Sequence, residues 1–94
     1  MNKCIKITVS KDKIPNDFLR SVVQKHAQKF NIEGIAQVFV PDKKVRIIAC
    51  GLKPDVDGFI DQLHKRFSEL SIQGVEVEPY IKDKDYRNVF RIIE

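Results

Sequence analysis

The chain has 94 residues, with 17 Lys and Arg against 13 Asp and Glu, and two cysteines. That length suits one two-layer core, so one domain spanning 1–94 is expected, and the net charge of +4 permits an acidic partner without reaching the massed basic surface of a nucleic-acid binder. No apolar run approaches the roughly 20 residues that cross a bilayer, and no targeting segment precedes the first strand pattern, so a soluble, cytoplasmic protein with no membrane contact is expected.

Ile5, Ile7 and Val9 alternate with Lys6, Thr8 and Ser10, the period-two pattern of a half-buried strand over Lys3–Ser10. The loop Lys11-Asp12-Lys13-Ile14 follows, and Pro15-Asn16-Asp17 reads as a helix start. Proline's missing N–H costs nothing at a first helical position, and Asn16 or Asp17 offers a side-chain oxygen to the free amides. Phe18, Leu19, Val22, Val23, His26, Ala27 and Phe30 then make one apolar stripe at three- and four-residue intervals, which predicts a helix packed on the sheet. His26, on the edge of that stripe, reads as a hydrogen-bonded histidine rather than a base or ligand, since no Cys, Asp or second His stands at ligand spacing. Arg20 lies about one turn into the helix, where its guanidinium can fork onto a phosphate or carboxylate beside the helix's positive end; an ordinary solvated arginine has the same spacing.

Asn31-Ile32-Glu33-Gly34 is a helix stop, with Asn31 or Gly34 suited to the left-handed conformation. Ile35–Val40 and Val45–Cys50 are β-rich runs separated by Pro41-Asp42-Lys43-Lys44, which predicts an antiparallel hairpin. Pro54-Asp55 opens a second helix with Val56, Phe59, Ile60, Leu63, Phe67 and Leu70 on its apolar face. Ile72–Ile81 is the fourth predicted strand, with Pro79 arguing for an edge or a strand end. Lys82–Tyr86 reads as a turn and Asn88–Ile93 as a short last strand. Cys4 and Cys50, each inside an apolar strand-like run, are too few for a disulfide framework and are expected to be reduced thiols.

The predicted order is βαββαβ plus a terminal strand. The right-handed crossover rule folds it into an α+β, ferredoxin-like sandwich with two helices on one face of a mostly antiparallel sheet. This order, together with the strings His26-Ala27-Gln28-Lys29, Ile32-Glu33-Gly34, Ile48-Ala49-Cys50-Gly51 and Gly74-Val75-Glu76-Val77-Glu78-Pro79-Tyr80, resembles the small acylphosphatases over nearly the whole chain. The resemblance implies metal-independent hydrolysis of acyl phosphates, with no cofactor and no metal. In that family a first motif, G-x-V-Q-G-V-x-F-R, cradles phosphate on glycine-rich amides and binds it with the final arginine. A second, G-x-V-x-N-x-x-D-G-x-V, supplies an asparagine that orients the attacking water.

Phe18-Leu19-Arg20 matches the end of the first motif, so the resemblance puts Arg20 where phosphate is bound. Upstream, Lys11–Asp17 contains neither glycine and runs one residue long, Pro15 has no N–H to donate, and Asp12 and Asp17 place negative charge beside an anion site. Reckoned from Gly34, the asparagine's place falls on Val38, again in a stretch one residue long, and Gln37 reaches the site only if the register slips. Lys11, Lys13, Asn16, Asp17 and Gln37 remain the candidate ligand-binding side chains.

Three functions fit these residues. The first is a domain inactive or very weak as a hydrolase, kept to bind an anionic ligand or a protein partner through the 11–17 loop and the Lys43-Lys44 turn. The second is an active acylphosphatase in which Arg20 binds phosphate and Asn16 or Gln37 places the water. The third, an RNA-binding ferredoxin-like module, has little support, because Lys3–Ser10 and Val45–Cys50 carry no aromatic residue on which a base can stack.

Overall fold

Alternation decides the sheet. In the computed structural model, which describes residues 2–82 and 85–93, Ile5, Ile7 and Val9 of strand β1 (Asn2–Ser10) are buried, while Lys6 and Thr8 between them face away from the core. Strands β2 (Glu33–Phe39) and β3 (Lys44–Leu52) form the predicted antiparallel hairpin, burying Ala36 on one and Val45, Ile47 and Ala49 on the other. Within the described residues the five strands lie in the order β4-β1-β3-β2-β5; β4 (Glu76–Pro79) is antiparallel to β1 and β5 (Phe90–Ile93) is parallel to β2.

Helix α1 is irregular: a wide π-type segment, Leu19–Gln24, runs into a regular stretch, Lys25–Lys29. It buries Phe18, Leu19, Val22, Val23 and Ala27, the predicted stripe, and the His26 ring nitrogen Nδ1 lies 2.7 Å from the Val22 carbonyl. Helix α2 (Lys53–Glu69) carries Pro54 in its first turn and buries Val56, Phe59, Leu63 and Phe67. Both helices lie on the same sheet face, where Phe18 stacks on Phe67 with ring centroids 5.5 Å apart and Phe59 meets Phe90 at 6.4 Å. Buried rings contribute about 2 to 3 kcal/mol each through area alone, so these two pairs anchor the helices to the sheet. Gly34 is required where it stands: at φ +150 a Cβ would collide with the main-chain carbonyl of Ile48 on the neighbouring strand.

Several expectations are corrected. Asn16 and Asp17 do not cap α1 through their side chains; the Asp17 main-chain carbonyl instead accepts both the amide and the hydroxyl of Ser21, each at 2.8 Å. Leu70 is exposed, because α2 has ended before it. The fourth strand is four residues long and wholly exposed, since only Glu76–Pro79 reaches β1 in register and Pro79 stands at its end. Residues 83 and 84 of the predicted turn lie outside the described residues. Tyr86, at its end, is buried rather than solvated. Cys4 and Cys50 are joined by a disulfide: β1 and β3 pair so that the two residues stand directly opposite, with Cα atoms 4.2 Å apart, on the sheet face away from the helices.

At the start of β1 and α2, Asp57 accepts from Lys3 Nζ at 2.7 Å and from Lys53 Nζ at 2.9 Å. The hydrogen bond from Lys3, then that from Lys53, holds its carboxyl below its ordinary value. A carboxyl depressed in the folded state stabilises above its unfolded pKa and loses that contribution as pH falls through the folded one. The stability difference between the natural chain and Asp57→Asn is therefore expected to shrink below about pH 4, and Lys3→Met to return the Asp57 titration, followed by NMR, toward the ordinary value.

Candidate functional site

The end of the sheet opposite Asp57 is built by two loops. After Ser10 the chain makes a single 3₁₀ turn, Lys11–Lys13, passes through extended Ile14, and turns again where the Phe18 amide donates to the Pro15 carbonyl at 3.1 Å. The hairpin loop beside it closes with the Lys43 amide on the Val40 carbonyl at 3.2 Å, and Lys43 takes a left-handed φ of 51°. The two loops are joined directly, since the Lys11 amide donates to the Lys43 carbonyl at 2.8 Å. The bond thus joins the two stretches in which the resemblance finds one residue more than the family patterns.

Between the loops and the end of α1 lies a cleft of about 240 Å³ lined by Ile14, Pro15, Leu19, Val38 and Val45, with Lys11 and Asn16 as its polar members. Val38 thus stands in the cleft wall, its side chain packed against the core, on the same face of β2 as buried Ala36. Gln37 projects to the opposite face, into a separate hollow with Phe39 and Arg46, whose guanidinium stacks 4.3 Å from the Phe39 ring centroid. The slip that would bring Gln37 to the cleft does not occur, because Val38 pairs with Val45 and keeps the alternation of β2 intact.

The remaining candidates separate as well. Lys13 reaches away from the cleft, its Nζ donating to the Gln73 carbonyl at 3.1 Å. Asp17 serves α1 through its main chain. Arg20 is exposed one residue beyond Leu19 and lies outside the cleft lining.

Of the amides from Ile14 through Leu19, that of Ile14 is turned back to the Lys11 carbonyl at 3.3 Å and that of Phe18 to the Pro15 carbonyl, while Pro15 has none. At most Asn16, Asp17 and Leu19 can offer main-chain hydrogens to an anion. What the cleft can do chemically is bounded by this lining: one ammonium and one carboxamide attract an anion, but no side chain at position 38 holds a water in line for attack. Among the described residues no group of three or more His, Cys, Asp or Glu is placed to share a metal ion, and no helix is long and apolar enough to cross a membrane.

The fold recurs in solved structures. An acylphosphatase from Coxiella burnetii aligns over 97% of this chain and 92% of its own at a TM-score of 0.65 and 24% identity. An acylphosphatase from Bacillus subtilis aligns over 100% of both chains at 0.71 and 17% identity. A bacterial light-regulated adenylyl cyclase is similar over 99% of this chain but only 28% of its own, at 0.66 and 19%, so the architecture by itself leaves the chemistry open. No curated protein matches the sequence. The family model described as Acylphosphatase matches residues 16–92, a span that takes in Arg20 and Val38 and opens just after Pro15. With that match over most of its length and the architecture of both bacterial enzymes, this chain belongs to the acylphosphatase family.

Proposed function

We propose that this acylphosphatase-family chain binds anions without hydrolysing them efficiently, and that the joined loops 11–17 and 40–44 are its contact surface for an anionic ligand or the acidic segment of a protein partner. The observation that supports this reading is the cleft wall, where Val38, at the position the resemblance gives to the water-orienting carboxamide, presents only an apolar side chain and two loop amides are turned inward beside a proline. Preorganised donors at a developing charge are typically worth ~10² to 10³ in rate each, so a cleft lacking most of them retains affinity far better than turnover. Lys11, Lys43 and Lys44 are exposed around it, and Val40, 77% exposed on the same hairpin loop, adds an apolar contact of the kind protein partners use.

The test is a titration of inorganic phosphate or sulfate into isotopically labelled protein, following the amides from Lys11 to Arg20. Saturable shifts confined to those amides and to Val38 are expected, weakened by Lys11→Gln. Flat or linear responses there would exclude an anion pocket. Asn16 favours a second reading, an active acylphosphatase, because its carboxamide is the one that lines the cleft. On that reading Asn16→Ala abolishes turnover of benzoyl phosphate, whereas on ours it alters binding alone.

A further inference from the structure

The sheet face turned away from the helices carries a second group of cations that the family site does not use. Strands β4 and β5 lie on opposite edges of the sheet, and a cleft of about 340 Å³ lies where residues 85–87 meet β2 and β5. Ile35 and Ile93 form its floor, Tyr86 one wall, and Arg87 and Arg91 its rim, with Asp85 beside them. Arg91 stands next to Ile35 in the parallel register of β5 on β2, which turns it to the open face.

Arg87 is held there by strain. It and Asn88 are consecutive left-handed residues, at φ 56° and 59°, in a tight turn closed by the Val89 amide on the Tyr86 carbonyl at 3.1 Å. Asp85 Oδ1 accepts the Arg87 amide at 2.8 Å and secures the turn. Glycine adopts that conformation freely and a long side chain does not, so an arginine here points to a use for the guanidinium that offsets the backbone cost.

Among the described residues neither the Arg87 nor the Arg91 guanidinium has an ion-pair or hydrogen-bond partner, and the nearby Glu33 carboxylate is already met by Lys82 at 3.2 Å. Against the one carboxylate of Asp85, two unpaired forked donors on one rim favour a doubly charged oxyanion. The apolar floor suits a small hydrophobic or flat group attached to it.

We infer that Arg87 and Arg91 form a second anion site, on the face opposite the family's cleft, that takes a small organic phosphate monoester. Phenyl phosphate is the probe, titrated at constant ionic strength into labelled protein and followed at the amides of Gly34, Ile35, Arg87 and Arg91, with inorganic phosphate and a single-stranded oligoribonucleotide in parallel. Saturable shifts at those amides are expected, tighter for phenyl phosphate than for inorganic phosphate.

Arg91→Gln is expected to weaken them about 10-fold or more, as losing a charge-assisted hydrogen bond does. Arg87→Gly should weaken binding similarly while leaving the melting temperature equal or higher, since glycine relieves the left-handed strain; that pairing separates lost binding from lost fold. Shifts confined to Lys11–Arg20, phenyl phosphate bound by both variants as tightly as by the natural chain, or binding seen with the oligonucleotide alone would each overturn the site. None of these readouts depends on whether the Lys11–Asn16 cleft binds.

Discussion

A chain in which the nine-residue family pattern G-x-V-Q-G-V-x-F-R replaces Lys11–Arg20, together with Val38→Asn, is expected to hydrolyse benzoyl phosphate about 10⁴-fold faster than the natural sequence. The graft supplies two things. Glycines let successive amides turn toward one oxyanion, where now the Ile14 and Phe18 amides close turns within the loop and Pro15 contributes none. A carboxamide at position 38 reaches the cleft from the strand face that Val38 already occupies, where it can hold a water. Each is worth ~10² to 10³ at a developing charge, and because they act on one transition state, either change alone should recover little. Steady-state rates of the double graft and the two single changes measure this directly, and a large gain from either one alone would show that the other feature was never missing.

Removing the Cys4–Cys50 disulfide is the change expected to cost the fold most. Its two cysteines are 46 residues apart, and in the chain-entropy account a cross-link closing a loop of that length stabilises by about 4 kcal/mol. For a domain of this size that is a fall of roughly 20 °C in melting temperature. The paired Cys4→Ser and Cys50→Ser variant, or reduction of the natural protein, should show it in thermal unfolding. The bridge ties β1 to β3 at the middle of the sheet, directly across from the strands' buried faces, so little of that loss can be recovered by local relaxation. Equal melting with and without reductant would mean that the thiols are free in solution.

The sequence displayed the layers of this protein because burial imposes a period. Ile5-Lys6-Ile7-Thr8-Val9 can lie only one way on a half-buried sheet, and Val56, Phe59, Leu63 and Phe67 only one way on a helix. The disulfide was hidden for the opposite reason: Cys4 and Cys50 share the open face by alternation, but that they stand opposite depends on a register between strands far apart in sequence. The predicted fourth strand is longer than β4 because Ile72, Val75 and Ile81 carry strand propensity outside the four residues that reach β1.

At the cleft, the resemblance led to Val38, which does line the wall, whereas the inward turn of the Ile14 and Phe18 amides is a product of loop geometry that no side chain announces. The placement of Gln37 was in principle readable, since buried Ala36 on one side fixes the face of its neighbour. Arg87 and Arg91 were missed altogether. The available signal was Asp85-Tyr86-Arg87-Asn88 before a strand, a turn with an Asx residue at its start and an arginine where glycine is at ease.

The central claim, that the family fold has here kept its cleft and lost the means to split what enters it, is tested most directly by benzoyl phosphate turnover of the unaltered chain. The prediction is a rate close to the uncatalysed one and unmoved by Arg20→Gln. A rate comparable with ordinary acylphosphatases, abolished by Arg20→Gln while the protein stays folded, would contradict it.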